Sequence, residues 1–97
     1  MATTIIRNGK VISPTGVTAQ DVLIEGETIS ALGTPGHFDG LLPGADKVID
    51  AAGKYVIPGG VDVHTHMELP FGGTFASDTF ETGSRAAAWG GVTTIVD

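Results

Sequence analysis

The sequence contains no cysteine among its 97 residues. A disulfide framework is therefore excluded, and so are a thiolate metal ligand and a cysteine nucleophile. Any metal site has to use histidine, carboxylate, water or a modified side chain. Since the chain has only 3 histidines, candidate metal ligands are few.

Positive charge is also scarce. There are 5 lysine and arginine residues against 11 aspartate and glutamate residues, which gives a net charge of −6. This balance argues against nucleic acid and against an anionic membrane surface as a partner. The basic residues are scattered along the chain: Arg7, Lys10, Lys47, Lys54 and Arg85.

Long apolar runs are absent as well. No segment reaches the roughly 18 apolar residues that a transmembrane helix needs. The N-terminal stretch MATTIIRNGKVIS carries a charge at Arg7 and has no long apolar core, so it predicts no signal peptide. We therefore expect a cytoplasmic protein without a membrane partner.

What the chain does contain is typical of a globular fold, with 41% hydrophobic and 16% charged residues. Residues 1–57 alternate short β-prone segments with turn residues. They predict three hairpins, with turns at Asn8-Gly9, Gly26-Glu27 and 51–53, and a loop over 33–44. Such an all-β unit needs a second sheet or a neighbouring domain to cover it.

A different pattern follows the break at 58–60. Residues 61–65 predict a strand, and the sequence DTFE at 78–81 predicts a capping box and a helix ending at Gly90. Residues 92–96 are β-branched and predict a strand buried on both faces. This order predicts a parallel βαβ unit. Because that unit alone leaves both strand edges unpaired, we expect a longer protein; a complete α+β domain is the alternative.

Two histidines, His64 and His66, lie at the end of the first strand of this unit. Alternate strand residues share a face, so Asp62 and both histidines would point the same way. Two neutral imidazoles at this spacing suit one zinc ion. A short H-x-H pair is more often structural, but the carboxyl end of a strand in a βα unit favours metal ligation. Asp62 either orients a ligating histidine or caps the turn after Gly59-Gly60.

A catalytic zinc site needs at least three protein ligands, and no third convincing one is present. Glu68 is too near His66 and lies on a loop, while Asp97, at the end of the next strand, is better explained as a cap. We therefore expect the remaining ligands elsewhere and assign no catalytic residue within this segment.

An apolar, glycine-rich segment follows the histidines. Apolar side chains on a loop are exposed unless something covers them. Met67, Leu69 and Phe71, with Gly72 permitting close approach, are predicted to form a wall of a substrate pocket. Packing or an oligomer contact is the alternative, and it suits Phe75 better.

Three stretches together resemble a known family: PGGVDVHTH at 58–66, LPFGGT at 69–74 and GGVTT at 90–94. They resemble the N-terminal part of dihydropyrimidinases and hydantoinases, which are cyclic amidohydrolases of the amidohydrolase superfamily. The resemblance extends over the hairpin-rich start of the chain. The histidine pair alone indicates only the superfamily, whereas the PFGGT that follows indicates this branch.

The resemblance implies an α/β fold, a (β/α)8 TIM-like barrel with a small β-sandwich. Residues 1–57 would belong to the sandwich, and 58–97 would form strand 1, a loop, helix 1 and strand 2 of the barrel. His64 and His66 would bind the more buried of two zinc ions, which a carboxylated lysine bridges. That lysine is not in this chain, because its lysines all precede the barrel part: Lys10, Lys47 and Lys54.

The resemblance also implies an activity, the hydrolysis of a small cyclic ureide or imide in pyrimidine catabolism. A 5,6-dihydropyrimidine or a 5-substituted hydantoin would give an N-carbamoyl amino acid, in a homo-oligomeric enzyme (tetramer or dimer). The 97-residue chain alone is expected to be inactive.

Other interpretations stay open: a non-catalytic assembly protein on this scaffold, another cyclic amidohydrolase such as an allantoinase, or a self-contained binding module. Glu68 stands where dihydroorotases carry an arginine, which disfavours an acidic substrate.

Overall fold

A computed structural model of the chain describes residues 2–68, 70–71, 74–75 and 77–96. The chain divides into two compact units, Met1–Ile57 and Pro58–Asp97. The first unit is a β-sheet with one short 3₁₀ helix, and the second combines short strands with one α-helix. The chain is therefore a mixed α/β structure.

The first unit contains five strands and a 3₁₀ helix: β1 (Thr3–Ser13), β2 (Gly16–Glu25), β3 (Thr28–Gly33), the 3₁₀ helix (Asp39–Gly44), β4 (Lys47–Asp50) and β5 (Tyr55–Val56). The strands form one sheet in the order β3-β2-β1-β4, with β5 also paired to β1. Strands β1, β2 and β3 form an antiparallel meander, whereas β4 and β5 both run parallel to β1.

The core of this sheet lies on the face that the segment between β3 and β4 covers. Ile5 and Leu23 are directly opposite each other on β1 and β2, and both are buried. Phe38 packs against them from the covering segment. The predicted loop over 33–44 therefore contains the 3₁₀ helix and supplies the third main core residue.

The predicted hairpin at Asn8-Gly9 is wrong, because β1 continues through these residues. They form an irregularity in the β1–β2 ladder, and the turn between β1 and β2 falls after Ser13. Asn8 has a φ of 67°, and its N–H donates to the buried carboxylate of Asp21 at 2.9 Å. The positive φ therefore serves a bulge rather than a turn.

The predicted third hairpin is also wrong. β4 pairs with the first half of β1 and β5 with the second half, so they follow one another along the same edge. The turn between them bonds to β1 as well, since Ala51 N donates to Arg7 O and Lys10 N donates to Lys54 O. The predicted hairpin at Gly26-Glu27 is confirmed, because Glu25 pairs with Thr28 across it.

The second unit is built on two parallel strands joined through a helix, which confirms the predicted βαβ order. Gly60 pairs with Val92, and Asp62 pairs with Ile95. Its elements are β6 (Gly60–Asp62), β7 (Pro70–Phe71), β8 (Thr74–Phe75), α1 (Phe80–Trp89) and β9 (Val92–Ile95). The short strands β7 and β8 pair with each other inside the predicted loop.

The capping box of α1 lies one residue beyond the predicted one. Thr79 is the N-cap residue and Thr82 its reciprocal partner, so the prediction of Asp78 and Glu81 is wrong. Asp78 accepts instead from the Thr82 hydroxyl, and Glu81 pairs with Arg85 one turn later. The helix ends at Gly90 as predicted, with Gly91 in the left-handed region.

Two predictions about the strands of this unit need correction. The strand predicted over 61–65 ends at Asp62, because the backbone bends at Val63 and His64. The strand predicted to be buried on both faces has Thr93 and Thr94 exposed and Val92 and Ile95 half-buried. Neither strand is covered on both sides within the described part of the chain.

Candidate metal centre

The backbone bend that carries the two histidines begins where β6 ends. Asp62 Oδ1 accepts the N–H of His64 at 3.1 Å. This is the hydrogen bond of an Asx turn, in which an aspartate bonds the backbone two residues on. This turn lies at 62–64, and it is not the turn after Gly59-Gly60 that the sequence suggested for Asp62. Orientation of a histidine ring by Asp62 stays a prediction.

Thr65, between the two histidines, ties the same bend to the end of β9. Its N–H donates to Val96 O at 3.2 Å, and Val96 N donates to Asp62 O at 2.8 Å. The Thr65 hydroxyl lies 3.4 Å from the same Val96 oxygen. The β6–β9 ladder therefore continues past both strands and holds the backbone on either side of His64.

The imidazoles of His64 and His66 face each other at the end of this ladder. Their Nε2 atoms lie 3.1 Å apart, their ring centroids are 4.9 Å apart, and the rings are nearly perpendicular at 87°. Both residues are exposed. The sequence predicted this pairing from strand alternation, but the bend after Asp62 produces it.

The nitrogen separation fits a shared divalent metal ion. Two zinc–nitrogen bonds of about 2.0–2.1 Å that meet near the tetrahedral angle place their nitrogens roughly 3.3 Å apart. The observed 3.1 Å is close to this value. The same separation is a hydrogen bond when one ring carries its proton on Nε2, so metal binding requires both rings to carry it on Nδ1.

The described residues bring together two candidate metal ligands, His64 and His66. Over 2–68, 70–71, 74–75 and 77–96, no cluster of three or more histidine, cysteine, aspartate or glutamate side chains surrounds a common point. Asp97, considered above as a further ligand, lies outside this range. The described part of the chain therefore brings together two of the at least three protein ligands that a catalytic zinc site would need.

The apolar segment after His66 is described only in part. Met67 packs against α1, since a Cβ built at Gly83 would lie 2.7 Å from its Sδ atom. Phe71 is the last residue of β7. Leu69 and Gly72 lie outside the described residues. The pocket-wall assignment of these four residues stays a prediction.

Glu68 has a role that the sequence did not predict. Its carboxylate accepts the N–H of Phe80 at the start of α1, with Oε2 and N 2.8 Å apart. Acidic side chains are favoured at helix N-termini. That preference was the available signal, but it does not identify which loop residue reaches the helix.

Nowhere among the described residues is there a helix with the length and apolarity to span a membrane.

Comparison with known proteins confirms the resemblance seen in the sequence. The amidohydrolase family matches residues 47–93. A D-hydantoinase of Streptomyces coelicolor is 62% identical over 94 residues, which cover 97% of this chain and 20% of the relative. A dihydropyrimidinase of Rattus norvegicus is 43% identical over 98 residues, covering 96% of this chain and 18% of the relative.

A solved structure gives the same result. The crystal structure of dihydropyrimidinase from Brevibacillus agri matches with a TM-score of 0.83 and 49% identity, covering 98% of this chain and 20% of that one. The chain therefore spans about a fifth of the length of the relatives it matches.

Proposed function

We propose that the full-length protein of this chain is a cyclic amidohydrolase. The proposal starts from the resemblance of the chain, along almost its whole length, to D-hydantoinases and dihydropyrimidinases of the amidohydrolase family. The reaction is hydrolysis of the ring amide bond of a 5-substituted hydantoin or a 5,6-dihydropyrimidine, giving an N-carbamoyl amino acid. The observation that carries the proposal is the paired imidazoles of His64 and His66, 3.1 Å apart, within a whole-chain match to such enzymes.

His64 and His66 hold one edge of the metal centre through their Nε2 atoms. A divalent ion, when bound, lowers the pKa of a water molecule and polarises the carbonyl of the amide to be cleaved. Asp62 and Thr65 fix the backbone of both ligands through their contacts with His64 N and Val96 O. Because this backbone is tied to two strands, the rings need little reorganisation to accept an ion.

The rest of the metal site comes, in this proposal, from outside the chain. The proposed site contains two zinc ions bridged by a carboxylated lysine, whereas the described residues contribute only the histidine pair. The chain covers only about a fifth of the length of its relatives, which supports a site whose other ligands lie outside it. It follows that the 97-residue chain alone is inactive.

The proposed architecture is a (β/α)8 barrel with a β-sandwich. Parallel pairing of β6 with β9 through α1 is the repeat of such a barrel. The sandwich is supported by an aliphatic row across the first sheet, where Ile49, Ile6, Val22 and Leu32 occupy paired positions. Leu32 and Ile49 in this row are exposed, as expected of a sheet face that another layer covers.

The segment Met67, Leu69, Phe71 and Gly72 is proposed to contact the substituent of the substrate ring. A glutamate at position 68, where dihydroorotases carry an arginine, supplies no cation to hold a substrate carboxylate, which disfavours acidic substrates. Homo-oligomeric assembly, as a tetramer or dimer, a cytoplasmic location and a role in pyrimidine catabolism complete the proposal.

The test is an assay of the full-length protein on dihydrouracil, on a 5-substituted hydantoin and on dihydroorotate, combined with metal analysis. We expect hydrolysis of at least one of the first two, little turnover of dihydroorotate, and bound zinc in the active preparation. A zinc-free protein that turns over none of the three would contradict the proposal.

A further inference from the structure

Glu68 is bonded twice to the segment that begins α1. Its N–H donates to Asp78 O at 2.9 Å, and its Oε2 accepts the N–H of Phe80 at 2.8 Å. The backbone and the side chain of Glu68 therefore bond to two positions at the helix start, Asp78 and Phe80. Since Glu68 follows His66 by two residues, these contacts lie immediately beyond the second histidine.

The backbone of Glu68 is in the left-handed region, with a φ of 58°. This conformation is strained for a non-glycine residue, and it persists only where the surroundings hold it. The two hydrogen bonds to Asp78 and Phe80 are the contacts that do so. The bend after His66 is thus maintained by its connection to α1.

Two of the N–H groups at the helix start, those of Phe80 and Thr82, bond to different side chains. Thr79 Oγ1 accepts the N–H of Thr82 at 3.1 Å, which leaves the N–H of Phe80 for Glu68. A carboxylate suits this position because its charge strengthens the hydrogen bond and opposes the positive end of the helix dipole. Thr79 therefore stabilises the helix itself, whereas Glu68 connects the helix to the histidine bend.

We propose that Glu68 is a positioning residue for the metal centre, acting through His66. Asp62 fixes the backbone before the histidine pair, Thr65 fixes it between them, and Glu68 fixes it after them. The inference rests on the proposed function, because it assumes that both histidines bind the ion. Loss of the Glu68 carboxylate frees the bend after His66 and so lowers metal affinity without removing a ligand.

The experiment compares zinc affinity of the full-length protein with that of E68A and E68Q, by competition with a chromophoric chelator. E68A should bind zinc about 10- to 100-fold more weakly, the range found when a partner of a metal ligand is lost. E68Q should stay within about threefold of the wild type, because its amide oxygen still accepts the N–H of Phe80.

Two control variants separate positioning from general stability. E81A removes an exposed carboxylate of the first helical turn whose ion pair is with Arg85, and its zinc affinity should equal that of the wild type. T79A removes the helix cap, so it should lower the melting temperature by a few degrees and leave zinc affinity within about twofold.

The outcomes are distinct. Wild-type zinc affinity in E68A, or an equal loss in T79A, would overturn the positioning role while leaving the histidine site intact. A wild-type protein that binds no zinc would instead overturn the proposed function, and the role of Glu68 with it.

Discussion

The Asp50 carboxylate closes the turn that links β4 to β5. Its Oδ1 accepts the N–H of Ala52 at 3.0 Å and the side-chain amide of Asn8 at 3.3 Å. These hydrogen bonds, with the Ala52 contact the larger cause, lower the pKa of Asp50 below its ordinary value. They do so because both donors stabilise the ionised form.

This lowered pKa makes part of the folding stability depend on pH. Its contribution is present above the pKa of an unfolded aspartate and is lost as the pH falls through the lower pKa of the folded state. In urea unfolding at decreasing pH, D50N should therefore lose less stability than the wild type. Asn8→Gly keeps the positive φ but removes one donor, so its pH dependence should be intermediate. A D50N pH profile that superimposes on the wild-type profile would refute this account.

Asn8 shows how far prediction reaches for a single residue. A turn at Asn8-Gly9 would need a positive φ at both residues, and of the two only Asn8 has one. The pair could not indicate a bulge, because that depends on Asp21, a buried carboxylate from β2 that accepts the N–H of Asn8. Local propensity favoured the positive φ of Asn8, whereas the contact with β2 made this residue part of a bulge.

The histidine pair had a different outcome. Its spacing predicted that His64 and His66 would meet, and they do. The expected cause, alternation along a strand, was wrong, because Asp62 accepts the N–H of His64 and bends the chain there. The sequence indicated that the two imidazoles could meet, whereas the bend depends on hydrogen bonds to Val96, immediately after β9.

At the scale of elements, the close approach of β6 and β9 depends on Gly59. A Cβ built at Gly59 would overlap the Thr93 side chain, with the two Cβ atoms 2.7 Å apart. Thr93 is β-branched, so it cannot move its Cβ away by changing rotamer. The strand pair therefore requires glycine immediately before β6.

We expect Gly59→Ala to destabilise the second unit by about 1–3 kcal/mol, the usual cost of forcing extra atoms into a packed site. Urea unfolding of the full-length protein measures the change. Gly44→Ala is the matched control, because nothing lies within 4 Å of its added Cβ. Equal unfolding midpoints for the two variants would show that β6 and β9 are not so closely packed.

The order and type of the elements were predicted better than their exact bounds and pairing partners. The helix was expected from a capping box, and one is present, but shifted from Asp78 to Thr79. Both residues are good N-caps, and only the backbone path decides between them. The partners of β4 and β5 were unpredictable for a related reason, since each pairs with β1 far away in sequence.

At the scale of the whole molecule, the sequence resembles hydantoinases and dihydropyrimidinases, and the chain spans about a fifth of the length of these relatives. The described residues bring together one pair of candidate ligands, His64 and His66, and contain no cluster of three or more. The exposed Val61, on β6, and Val63, in the bend after it, likewise lack a covering layer within the described part of the chain. The catalytic zinc site proposed above would therefore need further ligands from outside the described residues.

The most direct test of this account is zinc content and hydantoin hydrolysis measured together in the full-length His64→Ala variant. His37→Ala is the control, because His37 stacks edge-on against Phe38 in the first unit and takes no part in the pair. We expect His64→Ala to lose bound zinc and at least about 100-fold in activity, and His37→Ala to keep both. Normal zinc content with full activity in His64→Ala would contradict the account.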